Sequence, residues 1–187
     1  MNAAYKKTIG AKINSLLNRE SWAGARRLIE RELAKISPTD FSRHWLLTRL
    51  STTYYEEHQY DKALIVAKQA ESIAPNCPLV LWDLAGAYSM LNDNANAITI
   101  YTRLIERGID HIARDQCGEG RKWARSLIAD CWCRLGTCYK ELGDTHKAIE
   151  CWSKHLDMVA KGTESIYGYP DVIHDILDLI PNAGVVA

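Results

Sequence analysis

The sequence of 187 residues lacks the features that mark several classes of protein. Its 23 lysine and arginine residues equal its 23 aspartate and glutamate residues, so the formal net charge is zero, whereas dedicated nucleic-acid-binding proteins are usually basic. No apolar run approaches the roughly 20 residues that a membrane-spanning helix needs. Residues 1–18 contain lysines but no apolar core and no small-residue cleavage site, so we expect no secretory signal. These absences disfavour nucleic-acid and membrane partners.

The cysteines lack the spacing of a disulfide framework. Six of them stand at positions 77, 117, 131, 133, 138 and 151, and no two form a CxxC pair. The chain, with 47% hydrophobic residues, is also long enough to form a core without cross-links. We therefore expect six reduced cysteines, mostly buried as small apolar side chains, and a reducing, cytoplasmic location.

Motifs for catalysis and for metal or nucleotide binding are also missing. The sequence has no HExxH, GxSxG, P-loop or GxGxxG motif. Four potential metal ligands lie close together in sequence: His111, Asp115, Cys117 and Glu119. Their spacing matches no zinc module. We therefore predict a protein that is not an enzyme and that uses no metal or cofactor.

The sequence does contain an internal repeat. Sets of apolar residues recur with similar internal spacing, 34 residues apart between the first and second copies and 51 between the second and third. The sets are Leu50, Tyr54, Ala63 and Ala70; Leu84, Tyr88, Ala97 and Leu104; and Leu135, Tyr139, Ala148 and His155. The longer interval equals one repeat with an insertion of 17 residues. One 34-residue unit therefore occurs three times.

Each unit has the pattern of two helices joined by a turn. In the third unit, apolar residues recur at helical spacing on both sides of residues 141–144. Gly143 suits a left-handed helix C-cap, and Asp144 or Thr145 suits the N-cap of the next helix. In the second unit, Pro78 suits the first turn of a helix. A single hairpin cannot bury its apolar face alone, so the hairpins are predicted to stack.

The three units resemble tetratricopeptide repeats (TPRs). The matching segments are Leu47–Pro75, Leu81–Ile105 and Trp132–Trp152, of which the last reads WCRLGTCYKELGDTHKAIECW. The resemblance implies an all-α fold, a superhelical stack of antiparallel helix hairpins that forms a TPR-like α-solenoid with a C-terminal capping helix. It also implies a non-catalytic scaffold or adaptor, which holds a peptide or helix of a partner protein in the concave groove lined by the first helix of each hairpin.

On this basis we predict a single TPR-like domain over residues 1–187. Its predicted parts are a degenerate N-terminal hairpin at 4–37, repeats at 44–77, 78–111 and 129–162, an insertion or helix extension at 112–128, and a capping helix and tail at 163–187. One long helix is expected from about Arg121 to Leu142, with its first two turns projecting beyond the repeat. The last helix either caps the final hairpin or occupies the groove and inhibits binding.

Matching each repeat to the family assigns the residues that face the groove. They are Trp45, Thr48, Thr52, Tyr55, Trp82, Gly86, Ser89, Met90, Asp130, Cys133, Thr137 and Lys140. The first two repeats lack the Lys and Asn residues with which some family members clamp a terminal carboxylate. The tryptophans, Tyr55 and Met90 predict a more apolar groove, suited to an extended peptide or an amphipathic helix. The alternative is that Trp45 and Trp82 pack against a neighbouring helix.

Other functions stay open from the sequence. The protein could be a cytoplasmic chaperone of a secreted or unstable partner. It could also be a self-assembling repeat protein, a homodimer for instance, that uses a second surface on the insertion around Trp123 and Arg125. Residues 1–43 carry nine basic and four acidic side chains, whereas residues 163–187 carry four acidic and no basic ones. These ends are either ordinary solvated surfaces or surfaces that attract each other or a partner.

Overall fold

A computed structural model describes residues 3–180, and the predicted tail beyond residue 180 lies outside them. Regular structure within these residues consists of α-helices, so the predicted all-α fold class is confirmed. The helices are α1 (Ala3–Leu17), α2 (Trp22–Leu33), α3 (Arg43–Glu56), α4 (Tyr60–Ile73), α5 (Pro78–Met90), α6 (Asn94–Arg114), α7 (Arg121–Glu141), α8 (Thr145–Ala160) and α9 (Tyr169–Leu179). The chain divides into two compact units, Met1–Asp93 and Asn94–Ala187. None of these helices is long and apolar enough to cross a membrane.

The first unit contains α1 to α5, packed in the order of the sequence. Helix α2 contacts α1 and α3, α4 contacts α3 and α5, and α3 also contacts α5. Between α3 and α4 the buried Ser51 Oγ donates a hydrogen bond of 3.0 Å to the Ala63 carbonyl. Both side chains are small, so the two helices of this hairpin can cross closely. Helices α3 and α5 are the first helices of successive hairpins and form one side of the unit.

The second unit contains α6 to α9, and α7 lies between α6 and α8. The core of the last hairpin is built around Trp152, which is fully buried and donates a hydrogen bond from Nε1 to the Cys133 carbonyl, at 3.0 Å. Gly136 on α7 lies directly under this ring, because a Cβ atom at that position would be 2.5 Å from it. A small residue at this helix crossing is therefore a requirement of packing.

The turn between α7 and α8 has the predicted caps. Gly143 adopts φ 77°, which is a left-handed conformation. The Asp144 carboxylate accepts a hydrogen bond from the backbone N–H of Lys147 at 3.1 Å and caps α8. Pro78 begins α5, and Pro170 lies in the first turn of α9. These residues fix where the helices end and begin.

The predicted insertion at 112–128 includes the end of α6 and the first turns of α7. Helix α6 continues beyond a kink at Gly108, where φ is 72° and ψ is 161°, and ends at Arg114. Ile112 in this continuation and Leu127 in the early turns of α7 are both buried. Helix α7 begins at Arg121, and buried residues on both sides of the loop contribute to the core of the second unit.

Helix α9 packs against α8 through one side of its apolar stripe. Val172 is buried in a cluster with Cys133 and Trp152, and the partly buried Ile176 and Leu179 pack against the same cluster. The chain therefore covers its own last hairpin with the amphipathic helix that the sequence predicted.

Candidate protein-interaction surfaces

The first candidate surface lies on α3 and α5, within the first unit. We call it the α3/α5 surface and define it by Trp45, Thr52, Tyr55, Trp82, Gly86, Ser89 and Met90. Met90 is 37% exposed, and the other members are half-buried. Aromatic and thioether side chains that reach solvent on adjacent helices form an apolar surface suited to another polypeptide.

The threonines of α3 contribute little polar recognition. Thr48, which was predicted to face the groove, is buried, and its Oγ1 donates a hydrogen bond to the Trp45 carbonyl at 2.8 Å. Its burial removes Thr48 from the accessible surface. Thr52 remains half-buried, but its Oγ1 donates to the Thr48 carbonyl at 3.0 Å. Both hydroxyl protons are used within α3, which leaves the surface mainly apolar.

The aromatic side chains of α3 are partly supported by neighbouring helices. A Cβ atom at Gly10 of α1 would lie 3.4 Å from the Trp45 ring, so one side of this indole packs beside α1. Tyr55 meets the ring of Tyr60 edge to face, with the ring centroids 5.4 Å apart. Trp45 thus combines both alternatives raised by the sequence, a contact with a neighbouring helix and partial exposure.

The sequence analysis did not identify Arg49 on α3 and Asp83 on α5, an ionisable pair of residues beside this surface. Burial raises the pKa of the Asp83 carboxyl on α5 to about 7, although the Arg49 guanidinium on α3 lowers it. The two residues occupy equivalent positions of successive repeats, 34 residues apart, and carry opposite charges. A basic and an acidic residue separated by one repeat length could have been recognised in the sequence as a pair.

The predicted groove positions of the third repeat are engaged by the chain itself. Asp130 is buried and accepts hydrogen bonds from Ser165 Oγ, at 2.5 Å, and from the Ile166 backbone N–H, at 3.3 Å. Burial raises the pKa of the Asp130 carboxyl, and the Ser165 hydrogen bond opposes that shift. Lys140 Nζ forms an ion pair of 2.8 Å with Asp175 of α9, which raises the pKa of the lysine.

The other two groove positions of this repeat are also unsuited to direct recognition. Cys133 lies in the buried cluster under α9, and burial raises the pKa of its thiol to about 12. Thr137 is half-buried and donates a hydrogen bond from Oγ1 to the Cys133 carbonyl at 3.3 Å. The expected groove residues of the third repeat are therefore largely covered, because α9 and the loop before it pack on this face.

The second predicted surface, around Trp123 and Arg125, borders a cavity of about 490 Å³. The cavity lies between the early turns of α7 and the loop that precedes α9, and Trp123 and Ile166 supply its apolar lining. Ile166 is 73% exposed. Arg125 does not line this cavity, and its guanidinium donates a hydrogen bond to Thr163 Oγ1 at 3.4 Å. Of the two predicted residues, only Trp123 therefore lines this cavity.

The four residues considered as metal ligands have structural explanations or lie at the surface. Asp115 forms an ion pair of 2.6 Å with Arg107 and accepts a hydrogen bond from the Cys117 backbone N–H at 3.0 Å. His111 and Glu119 are exposed. Asp115 thus stabilises the end of α6. The six cysteines are free thiols, five of them buried.

Comparison with known families supports the repeat assignment. Two family models, each described as a tetratricopeptide repeat, match residues 79–107 and 129–158. The resemblance that was recognised in the sequence is thereby confirmed. A search of curated proteins found no match.

Solved structures with the same fold are similar over most of this chain. The crystal structure of the apo form of RapI superposes with a TM-score of 0.70 at 17% identity, over 94% of this chain. This chain spans 62% of that protein. A putative kinesin light chain from P. anserina with nearly identical TPR-like repeats gives a TM-score of 0.63 at 16% identity, over 95% of this chain and 86% of the other. At these identities the likeness establishes the helical-repeat fold.

The repeats and the fold together support a scaffold for protein interaction. A stack of helix hairpins presents one side of each hairpin to a partner, because the other sides are used in stacking. Folds of this kind are typically non-catalytic.

Proposed function

We propose that this chain, a member of the tetratricopeptide repeat family, is a non-catalytic adaptor that binds a peptide or an amphipathic helix of another protein on the α3/α5 surface. The observation that carries the proposal is the partial exposure of Trp45, Tyr55, Trp82 and Met90 on two adjacent first helices. Aromatic residues and methionine are enriched in protein interfaces.

The chemistry of the α3/α5 surface favours an apolar anchor over a charged one. The hydroxyl protons of Thr52 and of the buried Thr48 on α3 are donated to backbone carbonyls, as described above. Polar recognition of a terminal carboxylate would need cationic or amide side chains at these positions. The partner segment is therefore expected to present aliphatic or aromatic side chains, spaced at i, i+3 and i+4 if it is helical.

The cellular setting that we propose is the cytoplasm, and the proposed adaptor works without a cofactor. Six free thiols, five of them buried, suit a reducing compartment. Burial raises the pKa of the Cys151 thiol to about 11, and burial likewise raises the pKa of Cys131. Both groups therefore remain protonated and poorly nucleophilic, which fits cysteines that fill the core.

The proposal is tested by selecting peptides from a random display library with the full chain. Binding of the selected peptides is then measured by fluorescence polarisation with Trp82→Ala and Met90→Ala. Burying one large apolar side chain contributes about 1.5–3 kcal/mol. Trp82→Ala should therefore weaken binding by about 10- to 150-fold.

The matched control is Ile65→Ala on α4. Ile65 is 58% exposed but lies outside the α3/α5 surface. This variant should bind the selected peptides as the wild type does, and circular dichroism should report the same helix content for all variants. Peptides that bind Trp82→Ala and the wild type equally well would contradict the proposed binding surface.

A further inference from the structure

The second unit contains a cavity of about 490 Å³ that the proposed function does not use. It is the cavity described above between the early turns of α7 and the loop that precedes α9, and we call it the Trp123 cavity. All of its lining residues lie within this one compact unit. Trp123 and Asp130 are two helical turns apart on α7, so both belong to the helix face that borders the cavity. Sites that bind small ligands usually have volumes of about 300–1,000 Å³.

The lining includes a carboxylate oxygen that has no partner in the chain. Asp130 is 7% exposed, and both of its hydrogen bonds, from Ser165 Oγ and the Ile166 N–H, are accepted by Oδ1. Oδ2 accepts no hydrogen bond from the described part of the chain, and it is not one of the polar atoms that are both unpaired and sealed from solvent. A carboxylate oxygen in so buried a position is stabilised by a hydrogen-bond donor, most strongly by a cationic one.

The charged groups around the cavity also favour a cation. Glu164 is paired with Lys122 at 2.6 Å, and because both side chains are at least 70% exposed, this pair contributes little to stability. Glu119 is exposed, and no ion pair joins it to another described residue. No lysine or arginine is among the groups that lower the pKa of the Asp130 carboxyl, which burial raises. Lys122 therefore neutralises Glu164 and leaves Glu119 and Asp130 without a counterion.

The arrangement of these groups suits an organic cation better than a metal ion. The carboxylate oxygens of Glu119, Asp130 and Glu164 do not all lie within 4.8 Å of one another, so they cannot share one metal ion. Trp123 supplies an aromatic ring, which attracts a cation placed over its face. A guanidinium group is planar, stacks on aromatic rings and carries five N–H donors, so it can bond to two carboxylates at once.

We propose that the Trp123 cavity binds an arginine side chain of a partner polypeptide. The guanidinium stacks on the Trp123 ring and donates hydrogen bonds to Asp130 Oδ2 and to the Glu119 carboxylate, while the aliphatic part of the side chain packs against Ile166. A lysine ammonium fits less well, because it is compact, strongly hydrated and unable to stack. The site is separate from the α3/α5 surface, so it does not depend on the proposed function.

The test is a titration of the ¹⁵N-labelled full chain with a blocked pentapeptide that has one arginine between alanines. The indole N–H signal of Trp123, assigned by Trp123→Phe, should shift saturably with a Kd of about 1 mM or lower. The same peptide with lysine should bind more weakly, and the peptide with citrulline, a neutral isostere of arginine, should bind at least about tenfold more weakly. Equal binding of the citrulline peptide, or no saturable shift up to about 10 mM arginine peptide, would overturn the proposal.

Free arginine distinguishes a polypeptide ligand from a metabolite. Its α-carboxylate adds a negative charge near Glu119 and Glu164, so free arginine should bind more weakly than the blocked peptide. Tighter binding of the free amino acid would contradict a polypeptide ligand.

Two variants test the two unpaired carboxylates. Asp130→Asn retains an oxygen for the Ser165 and Ile166 hydrogen bonds and removes the charge, so it should weaken binding of the arginine peptide by about tenfold or more. Glu119→Gln changes an exposed side chain and should weaken binding by about two- to fivefold. Arginine-peptide binding that is unchanged in both variants would contradict the proposed contacts.

The matched control is Glu106→Gln on α6. Glu106 is exposed and does not line the cavity, and the substitution makes the same change in net charge as Glu119→Gln. It should bind the arginine peptide as the wild type does. If Glu106→Gln weakens binding as much as Glu119→Gln, the effect comes from the overall charge of the protein, and the proposed site is wrong.

Discussion

The α3/α5 surface and the corresponding face of α7 are built from equivalent repeat positions, yet the chain treats them differently. On α3 and α5, Trp45 and Trp82 remain half-buried. On α7, Cys133 is buried under α9, Asp130 is bonded to Ser165 and Ile166, and Lys140 is paired with Asp175, as described above.

A repeat pattern therefore predicts the direction in which a side chain points, but it does not predict whether a partner can reach that side chain. Accessibility of the α7 face depends on the residues after the last hairpin, which lie outside the repeat. The aromatic α3/α5 surface is therefore the better candidate for recognition, and the α7 face is stabilising structure. The following variants test this contrast between the two units.

The largest effect is expected from Trp152→Ala in the core of the second unit. Trp152 is fully buried and hydrogen-bonded to the Cys133 carbonyl, so its removal leaves a cavity and takes one hydrogen bond from that carbonyl. The free energy of unfolding should fall by about 3–5 kcal/mol, measured by urea denaturation. Trp82→Ala, at a half-buried position, should cost clearly less. Equal losses would mean that Trp82 is a core residue rather than a recognition residue.

Detaching α9 should convert the α7 face into an accessible one. Val172→Asp places a carboxylate in the buried cluster that contains Cys133, and the cost of burying that charge favours displacement of α9. The pKa of the Cys133 thiol, about 12 in the native structure, should then fall towards that of an exposed cysteine. Cys133 should react with iodoacetamide about tenfold faster or more, followed by mass spectrometry. Leu177→Asp, at an exposed position, should leave Cys133 protected.

The pH dependence of stability should report on the Asp83 carboxyl of the first unit. The Asp83 carboxyl has a pKa of about 7 in the folded chain and about 3.9 in the unfolded chain. Its stabilising contribution is therefore complete below about pH 4 and is lost as the pH rises through about 7. Asp83→Asn should remove this dependence, with a gain of about 1–3 kcal/mol at pH 8 and little change at pH 4. A parallel pH profile for both proteins would contradict the assignment.

The smallest effect is expected for the ion pair between α7 and α9. Lys140 and Asp175 are both partly exposed, with 32% and 42% of their side chains accessible. Such pairs contribute about 0–1 kcal/mol. Asp175→Asn should therefore change the urea midpoint only slightly and should leave Cys133 unreactive. Rapid modification of Cys133 in this variant would show that charge, rather than Val172, holds α9 in place.

Local features of the fold followed from the sequence because their causes are local. Gly143 and Asp144 were predicted to end one helix and begin the next; in the structure the glycine has a φ of 77°, and the Asp144 carboxylate accepts the capping hydrogen bond from the Lys147 N–H. Gly136 occupies the repeat position at which the first two units have Ser51 and Ala85, so a small residue there also agrees with the repeat.

Features that depend on distant packing were harder to predict. Gly108, where φ is 72°, interrupts α6, and the helix then continues to Arg114 with Ile112 buried. Likewise, Thr48, Asp130 and Cys133 occupy groove positions by repeat matching and are buried in the structure. The repeat pattern gives no indication that Ser165 and the helix after it pack against α7.

The most direct test of the account uses the indole N–H signals of the six tryptophans, assigned by single Trp→Phe substitutions in two-dimensional NMR spectra. A peptide selected from the display library is added to the ¹⁵N-labelled full chain. The account predicts that the signals of Trp45 and Trp82 shift with the peptide concentration, while those of Trp132 and Trp152 stay in place. Shifts confined to Trp123, with Trp45 and Trp82 unchanged, would contradict recognition on the α3/α5 surface.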